Sequence, residues 1–173
     1  MNDLALRIRE ELIRRMEAHG VETYPHECCG ALIGRDSDGS RDVMDLLPLA
    51  NRRDDSPRNR FEVTADDVRS AERRAREGHL ELIGWYHSHP DAPARPSEYD
   101  RAHAWPWYSY VIVSVEAGVP RDTRSWRLRD DRSAYESEMI EAAVSSASSG
   151  EMGFCQAGVP RDVARDSGGR QWQ

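Results

Sequence analysis

Apolar residues recur along this chain at two different spacings, which predict a mixture of helices and strands. Asn2 or Asp3 would cap a first helix near the start of the chain, and Gly20 would end it. The prediction rests on five apolar residues that recur at helical spacing: Leu4, Ile8, Leu12, Ile13 and Met16. We expect this helix to be a packing element.

Four later segments are typical of strands. Residues 27–34 and 80–86 are mostly apolar over the length of a strand, and residues 43–50 alternate loosely. Pro48 places the 43–50 strand at or near a sheet edge, because proline cannot donate a hydrogen bond to a neighbouring strand. Residues 107–115 are nearly continuously apolar, which predicts a central strand that is buried on both faces.

Further signals predict another helix, a turn and a last strand. Thr64, followed by Asp67 three residues later, indicates a capped helix start, and Gly78 would end that helix. Residues 118–122 predict a turn, and residues 124–129 alternate as a half-exposed strand.

The last predicted helix uses four residues at helical spacing: Tyr135, Met139, Ile140 and Ala143. From Ser145 onward the chain is rich in Ser, Gly and Asp and has little periodicity, so we expect residues 145–173 to be mostly disordered. Residues 1–144 would then form one domain. A helix between two strands favours a three-layer α-β-α domain with a mixed sheet and helices on both sides.

Composition narrows the classes of function. The 173 residues carry a net charge of −7, and every basic residue is Arg. Without a sustained basic stripe, nucleic acid is not the expected partner. No apolar run approaches membrane-spanning length, and the N-terminus lacks a signal-peptide pattern, so we expect a soluble cytoplasmic protein without a membrane partner. Three cysteines do not make a disulfide framework, which fits a reducing compartment.

Candidate chemistry is concentrated just after the 80–86 strand. His87 and His89 are two residues apart, so their side chains would point to one face of the strand. A proline-rich turn follows, and Ser97 then begins a helix with Asp100 in its first turn. Two imidazoles and one carboxylate suit zinc and leave a fourth position open, as in a catalytic site. The sequence therefore predicts one zinc ion on His87, His89 and Asp100.

These residues resemble the JAMM (MPN+) metallopeptidase family, also known as Mov34/MPN/PAD-1. Its signature is an upstream Glu, then His-x-His-Pro, with seven residues between the second His and Ser-x-x-Asp. The stretch from His87 to Asp100 matches this spacing at every position, and Glu27 lies in a Pro-x-Glu-x-Cys-Gly-type segment. The resemblance extends from about residue 4 to about residue 128.

The resemblance implies a layered fold related to that of cytidine deaminases, and zinc-dependent hydrolysis of an amide or isopeptide bond. Zinc-bound water would be the nucleophile, with Glu27 as the general base. Ser97 would cap the helix and also steady the water or the oxyanion. Glu27 could instead only form a salt bridge with an Arg. Cys28 and Cys29 could be ligands, although we interpret them as small buried residues.

For the substrate, the resemblance to compact prokaryotic members implies a ubiquitin-like sulfur-carrier protein with a C-terminal Gly-Gly tail. Another peptide with a flexible C-terminal tail is a further possible partner. Cleavage would remove an attached amino acid or trim the tail. The tail would bind as an added strand at a sheet edge.

Three alternatives belong to other classes. A non-catalytic MPN-type scaffold or protein-binding module should lack one or more of these site residues, and all of them are present. A zinc deaminase needs His-x-Glu together with Pro-Cys-x-x-Cys, and Pro-Cys-x-x-Cys does not occur. DNA processing is disfavoured by the acidic charge and by the absence of a basic arm.

Overall fold

A computed structural model describes residues 5–37, 40–50 and 63–143 of the chain. Within these ranges the chain forms seven strands and three helices. In chain order they are β1 (Ala5–Arg9), α1 (Glu10–Thr23), β2 (Cys29–Ser37), β3 (Ser40–Leu49), α2 (Ala65–Glu77), β4 (Glu81–Pro90), α3 (Glu98–His103), β5 (Ser109–Glu116), β6 (Val119–Leu128) and β7 (Tyr135–Ala143).

The seven strands form one closed, barrel-like sheet in the order β1-β3-β2-β4-β5-β6-β7. β4 is antiparallel to β2 and parallel to β5, while β1 is parallel to both β3 and β7. The predicted mixed α/β domain is therefore confirmed. Its layering differs from the prediction: β1 joins the two ends of the sheet, so the closed sheet with few helices is not a clear three-layer sandwich.

Helices pack on both faces of the sheet at β4 and β5. Ile83 and Val111 belong to a buried cluster that includes Leu12 of α1. Leu82 and Tyr110 belong to a second cluster that includes Ala71 of α2. Because neighbouring residues of a strand point to opposite faces, the two clusters lie on opposite sides of the sheet. The central, doubly buried strand predicted at residues 107–115 is confirmed as β5.

The start predicted for the first helix is wrong, because Ala5–Arg9 form β1. Leu6 and Ile8 alternate with polar residues and are fully buried. β1 gains its hydrogen bonds from β3 and β7, which are distant in sequence. Asn2 and Asp3 lie outside the described residues.

Gly20 does not end α1, which continues to Thr23. Instead, Gly20 allows the helix to approach β4 and β5 closely. A Cβ at this position would lie 3.0 Å from Val115 Cγ2 and 3.2 Å from Ser88 Cβ. α1 is thus pressed against the strand that carries the two histidines.

The predicted last helix is also wrong, since Tyr135–Ala143 form β7. The first part of β7 pairs with β6, and residues 139–143 pair with β1. Buried Glu138 accepts hydrogen bonds from the hydroxyl groups of Ser109, at 3.1 Å, and Ser125, at 2.6 Å. These long-range contacts outweigh the helical spacing of the apolar residues. Residues 145–173 lie outside the described part of the chain.

The other predicted elements differ less from the structure. The capping box at Thr64 is present. Among the described strands, Pro48 pairs with β2 alone, because β1 ends its pairing with β3 at Val43, which agrees with the expected position near a sheet edge. The turn predicted at 118–122 is shorter: Ala117 and Gly118, with φ values of 49° and 77°, connect β5 directly to β6. Among the described residues, no helix is long and apolar enough to cross a membrane.

Candidate metal centre

The two histidines lie at the end of β4 and point to the same face of the sheet. Their Nε2 atoms are 3.0 Å apart, and both side chains are buried. Ser88, between them, faces α1, and its Oγ accepts a hydrogen bond of 2.9 Å from the backbone N–H of Cys28. The side-chain alternation predicted for this strand is thus confirmed.

Asp100 reaches the histidines from the first turn of α3. Ser97 is the N-cap residue, and its Oγ accepts a hydrogen bond from the Asp100 N–H at 3.1 Å. The Ser97 N–H and Oγ–H donate to Asp100 Oδ2 at 2.6 and 2.7 Å. Asp100 Oδ1 lies 3.4 Å from His87 Nε2, and Oδ2 lies 3.5 Å from His89 Nε2. The predicted helix cap therefore also orients this carboxylate.

The geometry of these three side chains fits a tetrahedral metal ion. Their ligand atoms all lie within 4.8 Å of one another. Bonds of about 2.0–2.1 Å in a tetrahedron separate neighbouring ligands by about 3.3 Å, close to the distances found here. His89 Nδ1 lies 3.0 Å from the Pro93 carbonyl oxygen, so Nδ1–H donates to it and Nε2 carries the lone pair for a metal. The three residues could therefore hold zinc.

Burial and the charges of neighbouring side chains set the pKa values of His87, His89 and Asp100. Burial lowers the pKa of His87, although Asp100 opposes this effect. Burial also lowers the pKa of His89, but the hydrogen bond and charge of Asp100 raise it overall. Burial disfavours the Asp100 carboxylate, yet the two histidines and the Ser97 N–H outweigh it and hold the pKa of Asp100 far below its usual range. The group thus includes an ionised carboxylate, the form that binds a metal.

Glu27 lies two residues before the Cys29–His87 pair that joins β2 to β4. Its side chain is only 5% exposed. Burial raises the pKa of Glu27 to about 8, while the charge of His89 lowers it and that of Asp100 raises it. Glu27, His89 and Ser97 line one cavity of about 240 Å³. The structure therefore brings the predicted base to the predicted metal ligands.

A contact that the sequence analysis missed ties the Glu27 segment to the end of β4. The Tyr24 hydroxyl lies 3.2 and 3.0 Å from the two carboxylate oxygens of Asp91. Asp91 Oδ1 also accepts a hydrogen bond from the Ala117 N–H at 2.9 Å. Tyr24 and Asp91 are 67 residues apart, so no local pattern indicates their contact.

The two cysteines are buried, as predicted. Burial raises the pKa of Cys28 to about 11 and that of Cys29 to about 12. Among the described residues, the group of side chains close enough to share a metal contains neither cysteine.

Comparison with models of protein families shows the family to which this chain belongs. A family model described as prokaryotic homologs of the JAB domain matches residues 9–129. The chain belongs to this family. The JAB domain thus includes Glu27, both histidines, Ser97 and Asp100, and the resemblance seen in the sequence is confirmed.

Known relatives include proteins named as a desampylase and a deubiquitinase. The desampylase of Haloferax volcanii is 33% identical over 114 residues, which are 65% of this chain and 80% of that protein. The deubiquitinase BRCC36 of Camponotus floridanus is 32% identical over 88 residues, or 47% of this chain and 34% of that protein. This chain thus spans about a third of the deubiquitinase.

The fold also matches solved structures. The solution structure of protein DSY2949 from Desulfitobacterium hafniense has a TM-score of 0.71 and 29% sequence identity to this chain. The match covers 80% of this chain and 93% of that protein.

Proposed function

We propose that this JAB domain is a zinc-dependent hydrolase of an amide or isopeptide bond. The observation that carries the proposal is the position of Glu27: a buried carboxylate with a raised pKa lines the same cavity as His89. A carboxylate in that position is suited to move protons at a bond held in the cavity. The names of the relatives support the same class of activity.

His87, His89 and Asp100 would hold the zinc ion. When bound, zinc would supply a Lewis acid that polarises the scissile carbonyl and lowers the pKa of water toward ~7. Glu27 would accept a proton from the attacking water and pass it to the leaving amine. Ser97 would fix the Asp100 carboxylate through its single Oγ–H. To steady the oxyanion, that O–H would have to turn away from Asp100 into the cavity that Ser97 lines.

The substrate that we propose is a ubiquitin-like protein, of the sulfur-carrier type, that is cut at its C-terminal Gly-Gly tail. The cavity of about 240 Å³ beside Glu27 has room for the small residues of such a tail next to the cleaved bond. An extended tail could pair with β3, since no described strand pairs with the β1-facing edge of β3 beyond Val43. β3 lies two strand spacings from β4, so a tail paired with this edge would run about 14 Å from β4.

Intact-mass analysis of a sulfur-carrier protein that bears one extra residue after its Gly-Gly tail tests this proposal. We expect the zinc-loaded wild type to remove that residue. Glu27→Gln should lower turnover by about 10²–10⁴-fold with the zinc content unchanged, because it removes only the proton carrier.

A chelator-treated sample and His103→Ala, on the exposed face of α3, serve as controls. The chelated protein should be inactive, and His103→Ala should remain active. Full activity of Glu27→Gln would contradict the role of the base. If the zinc-loaded wild type bound the carrier without cutting it, the chain would be a binding module instead.

A further inference from the structure

Arg95, in the loop between β4 and α3, lines two cavities at once. One is the cavity of about 240 Å³ that contains Glu27 and His89. The other, of about 410 Å³, extends along α3 to Trp126 of β6 and Tyr135 of β7. Ser97 is the second residue common to both. A substrate segment next to the cleaved bond can therefore continue past Arg95 into the second cavity.

The charges around the second cavity leave Arg95 uncompensated. Glu98 is the acidic residue of its lining, and its Oε2 accepts hydrogen bonds from Arg101 Nη2 and Nε at 2.7 and 3.2 Å. The charges of Glu98 and Arg101 therefore offset each other. The guanidinium of Arg95 has no hydrogen bond or ion pair to any residue that the structure describes. On a chain of net charge −7, a positive charge thus lies directly beside the candidate centre.

The loop that carries Arg95 is held in place on both sides. The Pro93 carbonyl oxygen lies 3.0 Å from His89 Nδ1 and accepts a hydrogen bond of 2.8 Å from the Arg95 N–H. Ala94 is buried, and its carbonyl accepts a hydrogen bond of 3.0 Å from Trp126 Nε1–H. A fixed backbone lowers the entropic cost of placing the guanidinium on a ligand.

We propose that Arg95 binds a carboxylate of the substrate, close to the cleaved bond and at the entrance of the second cavity. This inference rests on the proposed function, which places the cleaved bond beside Glu27. The planar guanidinium matches a carboxylate with two parallel hydrogen bonds. The carboxylate belongs either to a free C-terminus or to an acidic side chain at the same position.

Fluorescence anisotropy with three labelled peptides tests this site without depending on cleavage. The peptides end in Gly-Gly-Ala with a free carboxylate, Gly-Gly-Ala amide and Gly-Gly-Asp amide. The protein is the zinc-loaded Glu27→Gln variant, in which turnover is suppressed. At least one acidic peptide should bind about tenfold more tightly than the neutral amide, since charged hydrogen bonds are stronger than neutral ones.

Substitutions of Arg95 in the Glu27→Gln protein test whether Arg95 causes the preference for acidic peptides. Arg95→Ala should abolish the preference, and Arg95→Glu should bind the neutral amide better than either acidic peptide. Arg14→Ala, on the exposed surface of α1, changes the net charge equally and should retain the preference. Selective binding of the free acid would assign the site to a C-terminal carboxylate. Selective binding of the aspartate peptide would assign it to an acidic side chain.

The inference is overturned if no peptide binds, if the acidic and neutral peptides bind equally, or if Arg95→Ala keeps the preference. Its failure is distinguishable from that of the proposed function. Cleavage of the carrier protein without any carboxylate preference would reject only the role of Arg95. A preference that depends on Arg95, in a zinc-loaded wild type that cleaves nothing, would reject only the hydrolase.

Discussion

At the scale of single residues, Glu27 is the feature that most distinguishes this site. Its carboxyl is nearly inaccessible to solvent, and burial raises its pKa to about 8. Burying a carboxylate costs free energy that a structural role would not require. A divalent cation in the site would favour the ionised form and lower this pKa. Glu27 is thus poised to exchange a proton near neutral pH.

The raised pKa of Glu27 predicts how the stability of the metal-free protein depends on pH. The pKa rises from 4.5 to about 8 on folding, so the folded state binds more protons within this window. The free energy of unfolding should therefore fall as the pH rises toward 8, by up to ~1.4 kcal/mol per pH unit. Glu27→Gln should lack this contribution and become relatively more stable than the wild type as the pH increases.

Urea denaturation of the chelator-treated wild type and Glu27→Gln, at about pH 5, 6.5 and 8, measures how the free energy of unfolding of each protein depends on pH. The histidines and Asp100 are common to both proteins, so the comparison reports the titration of Glu27 together with its charge effect on His89. Equal pH dependence of the two proteins would mean that Glu27 titrates normally.

The sequence predicts the metal group well because its geometry is local. His87 and His89 share one strand, and Ser97 and Asp100 share one helical turn. The roles of Tyr24 and Arg95 could not be found in this way, because their surroundings come from segments that are distant in the chain.

At the scale of elements, the site depends on how the Glu27 segment is attached to the end of β4. The hydrogen bond from Tyr24 to Asp91 joins the two, and Asp91 is in turn bonded to the β5–β6 turn at Ala117. Since Glu27 and His89 lie on the joined segments, this contact helps to set their separation.

Tyr24→Phe should lower the turnover number roughly tenfold, because small displacements of a catalytic group are costly. Zinc content should be unchanged, since the Tyr24 hydroxyl bonds to Asp91, which is not one of the candidate ligands. Steady-state kinetics and elemental analysis measure the two effects. Tyr108→Phe, which also removes a tyrosine hydroxyl, should keep full activity. Equal activity of both variants would show that the contact does not position the base.

At the scale of the whole molecule, the sheet is closed by β1 and β7 around a buried polar group. Arg41 Nη1 donates to Ser109 Oγ at 3.0 Å, and Ser109 in turn donates to Glu138. Arg41 and Glu138 are 2% and 3% exposed. Removing Glu138 would leave the buried hydroxyl groups of Ser109 and Ser125 without their acceptor, so these residues fix how the strands close.

Closure of the sheet is the part of the fold that the sequence did not reveal. β7 contains Glu, Ser and Ala residues that fit a helix as well as a strand. It becomes a strand because Glu138 meets Ser109 and Ser125, and because β1 pairs beside it. The alternation of Leu6 and Ile8 over five residues was too short to separate β1 from the following helix.

The central claim is that strand β4 and helix α3 together hold one zinc ion. Elemental analysis of zinc per chain tests it directly, with Asp100→Ala compared against Glu98→Ala in the same helical turn. We predict about one zinc per chain in the wild type and in Glu98→Ala, and a large loss in Asp100→Ala. Full zinc occupancy in Asp100→Ala, or no zinc in the wild type after incubation with the metal, would contradict the account.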